Sequence, residues 1–288
     1  MDNSISKTEN EDTPVAPRDG YSINFMSYNG VIDSDGKIAP SFVKEGPNQP
    51  EVLLINRTFA GIDAAVSHKF LGVIVKKMME NPDRMTTVLD MGGGFKSRAA
   101  REIISHPYLK RRVNCINLDL FAHPLQAENL TVINSDFNEC PIADESVDAV
   151  ISYQALFYLN DEEFFNTLYQ IARVLRKGGE AYLDIMGHHN AQRCVEMMEN
   201  PSDPPNFPSW FKAKMSELGV AYYPTFGETK INGFSLPMPE YFYSMLHMSK
   251  ADGNGKHNSP NQFSPYTQQI EEAILATRKF CHSKISDL

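Results

Sequence analysis

Between Thr87 and Met186, short apolar runs alternate with stretches of helical spacing, and this alternation limits the possible folds more than any other feature. Strands are expected at 87–90, 113–118, 131–134, 147–152 and 181–186, and helices at 96–105 and 161–175. Strands that alternate with helices form a parallel sheet covered on both faces. Ligands then bind outside the carboxyl ends of the strands. The first run, Val88-Leu89-Asp90, ends in an acid and opens into Met91-Gly92-Gly93-Gly94. Glycines at such a turn let backbone approach a nucleotide-like ligand with no Cβ in the way.

The flanking sequence has a different texture. Residues 1–20 are polar, carry Pro14 and Pro17, and are expected to be disordered. Residues 21–57 are irregular and punctuated by glycine and proline, with room for short strands or a cap. An amphipathic helix is expected over 61–81, with Asn81-Pro82 stopping it. In the helix at 161–175 acids fill the first turn, and Lys177-Gly178-Gly179 is expected to close it as a glycine C-cap. Beyond Gly187 come four prolines and a cluster of aromatics, a helix near 209–218, strands at 220–225 and 241–248, a polar loop at 250–265 and a closing helix at 267–282. The expected division is a tail (1–20), an N-terminal cap segment and helix (21–82), a core (83–250) with an aromatic-rich substrate region at about 188–240, and a C-terminal loop and helix (251–288).

Composition excludes several function classes. A formal net charge of −9 does not suit a groove that tracks nucleic acid. No stretch of about 18 apolar residues is present, so no membrane span is expected. The start lacks the basic and apolar parts of a secretory signal, which leads to an expectation of a cytoplasmic protein. Cys115, Cys140, Cys194 and Cys281 stand far apart, as free thiols of a reducing compartment do, and no metal site is expected.

Five motifs occur in order: Val-Leu-Asp-Met-Gly-Gly-Gly (88–94), Ile-Asn-Leu-Asp (116–119), Asn-Ser-Asp-Phe (134–137), the run from Pro141 to Ser152, and Val-Leu-Arg-Lys-Gly-Gly-Glu-Ala-Tyr-Leu (174–183). Together they resemble the class I S-adenosylmethionine-dependent methyltransferases over roughly residues 85–187. The resemblance implies an α/β fold with a Rossmann-like, seven-stranded, mostly parallel sheet, helices on both faces, an N-terminal cap and an insertion after the fifth strand. A late antiparallel strand belongs to that sheet, and the runs at 220–225 and 241–248 fit its last two strands. The implied cofactor is S-adenosylmethionine.

The resemblance also assigns roles. Gly92, Gly93 and Gly94 would lie against the methionine part of the cofactor, with Asp90 holding the turn; the alternative is a tight strand-to-helix turn with no ligand. Asp119, with Leu120 beside it, would accept hydrogen bonds from both ribose hydroxyls. Asp136 would receive the adenine amino group and Phe137 would pack near the ring, although Asn-Ser-Asp is also ordinary turn chemistry. Ser152, Tyr153 and Gln154 would face the sulfonium and the incoming nucleophile. A base is needed only if the acceptor must lose a proton, and Tyr153 and His188 are the candidates, with Tyr158 and His189 behind them.

Phe95 and Lys96 stand where the family has smaller residues, which puts the shape of the turn in doubt. The family's asparagine-proline signature for amine targets is absent after the fourth strand, and Ser-Tyr-Gln-Ala-Leu resembles the branch acting on small molecules. The expected activity is methyl transfer to an oxygen or nitrogen of a small, partly apolar acceptor, with Arg57, Trp210, Phe211, Tyr222, Tyr223, Phe226 and Phe234 as candidate pocket residues. Protein side-chain methylation, a non-catalytic binding protein of the same fold and a nicotinamide-dependent dehydrogenase are the competing readings. The last has only a near miss, Gly92-x-Gly94-x-x-Ser97, in its favour.

Overall fold

The computed structural model describes residues 22–32, 38–45, 52–55, 67–94, 97–120, 122, 127–153, 155–156, 159–185, 190, 207–226, 230–231, 234–235, 244–260, 268–269 and 272–273. Its centre is a seven-stranded sheet built from β4 (Thr86–Met91), β5 (Val113–Asp119), β6 (Leu130–Asn134), β7 (Val147–Ser152), β8 (Leu175–Asp184), β9 (Val220–Phe226) and β12 (Ser244–Lys250), in the order β6-β5-β4-β7-β8-β12-β9. The pairs β4–β5, β5–β6, β4–β7 and β7–β8 are parallel, and β12 runs antiparallel to both β8 and β9. The seven-stranded, mostly parallel sheet is therefore present, with its late antiparallel strand inserted next to the edge. Residues 22–55 contain a separate antiparallel sheet of β1 (Ser22–Ile32), β2 (Ile38–Glu45) and β3 (Val52–Ile55), in a region where the sequence suggested only short strands. A two-stranded ribbon, β10 (Lys230–Ile231) with β11 (Phe234–Ser235), completes the strands.

Each face of the large sheet has its own core. On one face α1 (Ser67–Glu80) and α2 (Arg98–Ser105) pack Leu71, Val73, Ile74, Ala100 and Ile103 against Val88, Val113 and Cys115. On the other, α3 (Asp161–Val174) and α4 (Ser209–Glu217) pack Phe164, Leu168, Ile171 and Phe211 against Leu89, Val150 and Leu183. Alternate residues of β4 thus serve opposite cores, and burial on both faces explains why its sequence reads as a continuous apolar run.

Helix α3 shows how the local sequence sets an element. Asn160 Oδ1 accepts the Glu163 N–H at 3.0 Å while Glu163 Oε2 accepts the Asn160 N–H at 3.0 Å. This reciprocal cap satisfies two otherwise orphaned donors. Three acids, Asp161, Glu162 and Glu163, sit where the helix dipole favours them. Its exit differs from the expectation. The helix stops at Val174, Leu175 is already extended, and β8 runs straight through Gly178-Gly179 to Asp184. The glycines are not a helix cap; they belong to a bulge. Val147 pairs with Leu175 and Ala149 with Glu180, so β8 carries extra residues between those two partners. Gly178 takes a positive φ of 74° there, and its carbonyl accepts from Lys77 Nζ at 2.6 Å.

Candidate active site

The chain steps from β4 outward through β5 to β6, then returns to the other side of β4 for β7 and β8. The strand order therefore reverses between β4 and β7, the position at whose carboxyl ends open sheets of this kind bind ligands. Gly92–Gly94, Asp119, Leu120, Asp136, Phe137, Ser152 and Tyr153 all follow or end strands on this edge. Asp119 is tied both to the glycine turn and to the loop that carries Asp136. Asp119 Oδ2 accepts the Gly94 N–H at 3.0 Å, and the Asp119 carbonyl accepts the Ser135 N–H at 3.4 Å.

The turn itself is closely packed. Gly92 has φ 83° and Gly94 φ 74°, both in the left-handed region that favours glycine. A Cβ on Gly92 would lie 2.2 Å from Ala155 Cβ and 3.2 Å from the ring of Phe137. One on Gly93 would lie 2.2 Å from Asn117 Oδ1 and 2.3 Å from Asp90 Oδ2. The bare Cα atoms of Gly92 and Gly93 are thus used first by the protein's own side chains. Phe137, which follows the third strand of the motif, lies against the turn that follows the first. Asp136 caps the short 3-10 helix Phe137–Glu139, its Oδ1 accepting from the Asn138 N–H at 2.9 Å and Nδ2 at 3.0 Å. Ser152 is fully buried, and no described residue hydrogen-bonds its Oγ. Tyr153 is half-buried, edge-on to Phe70 with ring centroids 6.3 Å apart.

Asp90 lies beneath this turn, 4% exposed. Burial, and then the charge of Asp119, push its carboxyl up to about 7, against the opposing hydrogen bond from the Ala100 backbone N–H. That bond ties the end of β4 to the first turn of α2, so Asp90 caps the helix that Ser97 does not cap.

His188, His189, Gln154, Tyr158, Arg57, Phe95 and Lys96 lie outside the described residues, as do Cys194, Cys281 and most of 267–282. Of the aromatics expected to line a pocket, Phe211 is core and Tyr222 packs against it, with rings 5.4 Å apart. Trp210 (43%) and Tyr223 (37%) are exposed. The side chains of Phe226 and Phe234 lie outside the described residues. Asn117 and Ser97 are additions that the sequence reading missed. The available signal was an amide between Ile116 and Leu118 in a strand otherwise fit for burial. Among the described residues no group of three or more His, Cys, Asp or Glu could hold a metal, and no helix is long and apolar enough to cross a membrane.

Residues 89–183 match the model of a family described as a methyltransferase domain. No curated protein sequence matches the chain. Among solved structures, a chain of the complex between the Haloferax volcanii Trm112 methyltransferase activator and its assigned methyltransferase is 18% identical, covering 68% of this chain and 96% of that one at a TM-score of 0.38. The CurJ carbon methyltransferase is 15% identical, with coverages of 66% and 56% and a TM-score of 0.41. Magnesium protoporphyrin IX methyltransferase from Synechocystis PCC 6803, solved with bound S-adenosylmethionine, is 12% identical, with coverages of 65% and 80% and a TM-score of 0.38. Such distant likenesses say nothing about substrate. Residues 89–183 thus match a methyltransferase domain, in agreement with the order of motifs in the sequence.

The residues of the edge suit S-adenosylmethionine, the cofactor that the motif resemblance implies. Half-buried glycines with left-handed φ make a turn no Cβ-bearing residue would form unstrained, and the carboxylate of Asp119 stands at the tip of the next strand.

Proposed function

We propose that the chain moves a methyl group from S-adenosylmethionine to an oxygen or nitrogen of a small, partly apolar acceptor and releases S-adenosylhomocysteine. The observation that carries this reading is the hydrogen bond from Gly94 to Asp119, which joins the glycine turn to the strand-tip acid at the reversal point of a methyltransferase-domain sheet. Bound S-adenosylmethionine supplies a methyl on a sulfonium with a neutral leaving group. The chain therefore has mainly to bind and align the reactants. Gly92–Gly94 would hold the methionine part with Asp90 beneath them, Asp119 and Leu120 the ribose, and Asp136 and Phe137 the adenine. Ser152 and Tyr153 would border the methyl. The buried free thiols Cys115 and Cys140 suit a reducing compartment such as the cytoplasm.

Calorimetric titration with S-adenosylmethionine tests the cofactor site. Asp119→Ala is expected to weaken binding by about 1–3 kcal/mol, the worth of hydrogen bonds to a charged group. An unchanged dissociation constant would remove Asp119 from the site. Acceptor class is tested with methyl-labelled cofactor and fractionated cell extract. Label in the small-molecule fraction supports the proposal; label in protein moves the acceptor to a side chain; binding with no transfer points to a non-catalytic protein. If the acceptor must lose a proton, Tyr153 and His188 are the candidates to take it. Tyr153→Phe and His188→Gln should each slow turnover at saturating cofactor by roughly 10²-fold, and a variant running at full rate would be struck from that role.

A further inference from the structure

Two buried oxygens lie under the glycine turn, and neither has a hydrogen-bond partner among the described residues. Asp90 and Asn117 are direct partners in the parallel β4–β5 register, so their side chains stand side by side on the α2 face. Asn117 is fully buried and donates from Nδ2 to Ser97 Oγ at 2.6 Å. Its Oδ1, like Asp90 Oδ2, has no hydrogen-bond partner among the described residues. Both oxygens converge on the same point, the space where a Cβ of Gly93 would be. Buried acceptors that face each other repel, and each lacks the donor that burial demands. We propose that Asp90 and Asn117 share one proton in a hydrogen bond beneath Gly93, and that Asn117 is the positioning residue that holds the turn in shape for the cofactor.

The proton sits on Asp90, because an amide oxygen is far the weaker base. Every member of the chain is then satisfied: Ala100 N–H donates to Asp90, Asp90 donates to Asn117 Oδ1, and Asn117 donates to Ser97. This chain ties β4, β5 and the start of α2 together at the floor of the turn. It also accounts for Ser97, which is buried with φ 49° and ψ 43°, a conformation that a serine keeps only when its surroundings hold it. The groups that face Asp90 are the Asp119 carboxylate at the tip of β5, the Cys115 thiol on the same strand and the Ala100 N–H on α2. Of these, the Asp119 carboxylate disfavours a charge on Asp90, while burial keeps the Cys115 thiol neutral. The rise of the Asp90 carboxyl to about 7 agrees with this geometry.

The proposal rests on reading this edge as the S-adenosyl site, so its test has one arm that needs no ligand. Melting temperatures of the full chain and of Asp90→Asn are followed from pH 5 to pH 8. A shared proton must be held by the folded chain while the unfolded chain has already released it. The full chain should therefore lose stability relative to the variant as the pH rises toward 7, and the difference should level off above. A difference that does not change with pH would mean that Asp90 is ionised and that the amide of Asn117 is turned to donate to it, which overturns the proposal. In the second arm S-adenosylhomocysteine is titrated into Asn117→Leu, with Asn117→Ser as a substitute should the first not fold. Binding should weaken about tenfold or more, the loss of a buried hydrogen-bonded support. Undiminished binding overturns the positioning role. Should the full chain itself bind no S-adenosyl ligand, the cofactor reading fails, and the first arm still decides the hydrogen bond.

Discussion

Gly92→Ala is expected to destabilise the folded chain by about 2–5 kcal/mol and to abolish measurable cofactor binding. Two costs combine. A φ of 83° places an L-residue in the left-handed region, at about 1–2 kcal/mol. The added methyl would also overlap Ala155 Cβ at 2.2 Å and press on Phe137 at 3.2 Å, and such overpacking costs about 1–3 kcal/mol. Ala155 follows β7 while Phe137 follows β6, so the overlap would push apart the loops from both sides of the central strand. Gly255→Ala is the matching control. Gly255 also has a positive φ, 76°, yet nothing lies within 4 Å of its Cβ position. Its cost is the conformational part alone, about 1–2 kcal/mol, with no loss of cofactor affinity. Urea unfolding of the two variants measures the difference. Equal losses would show that close packing at Gly92 contributes nothing.

Glu180→Gln is expected to cost about 3–5 kcal/mol, because it leaves the buried Lys76 and Lys77 with only the partly exposed Glu80 as counter-charge. Glu180 is fully buried; Lys76 Nζ lies 2.5 Å and Lys77 Nζ 2.7 Å from its Oε1, and the ring of His247 lies 3.0 Å from its Oε2. Burial alone would raise the Glu180 carboxyl. The hydrogen bond with His247 and the charges of Lys77 and Lys76 overcome it and hold the group down to about 2. A depressed carboxyl stabilises the fold above its unfolded value of about 4.5, and that contribution is lost as the pH falls from there toward 2. The gap between the full chain and Glu180→Gln should therefore be widest at neutral pH and narrow below pH 4.5. His247 moves the other way: burial lowers it, more than its contact with Glu180 raises it, so it stays a neutral partner at pH 7. Adding Lys76→Met to the Gln variant should recover part of the loss. A cost under 1 kcal/mol, or one that does not vary with pH, would mean that the cluster does not stabilise the fold.

The readable parts of this protein were those fixed by short-range chemistry. The acids of its first turn announce the start of α3, Val88 to Gly94 announces a strand and its turn, and the acids Asp119 and Asp136 mark strand ends. Gly178-Gly179 misled for a physical reason. A glycine pair after a helix serves equally as a cap or as a strand bulge, and only pairing with Val147 and Ala149 chose the bulge. Lys76 and Lys77 gave no sign of their role either. In a helix they read as solvent-facing charges, and burial came from Glu180, more than a hundred residues away in the chain.

By itself, then, the sequence determined the alternation of strands and helices, the glycine turn and the acids that follow the strands, since hydrophobic period and turn chemistry act over a few residues. The tertiary structure alone decided which side chains meet. It set Asp90 against Asn117 through strand register, brought Gly94 to Asp119 across a parallel pair, and closed Lys76, Lys77, Glu180 and His247 into one buried cluster. Register and long-range packing join residues whose separation in sequence leaves no local trace, and burial then gives those meetings their electrostatic weight.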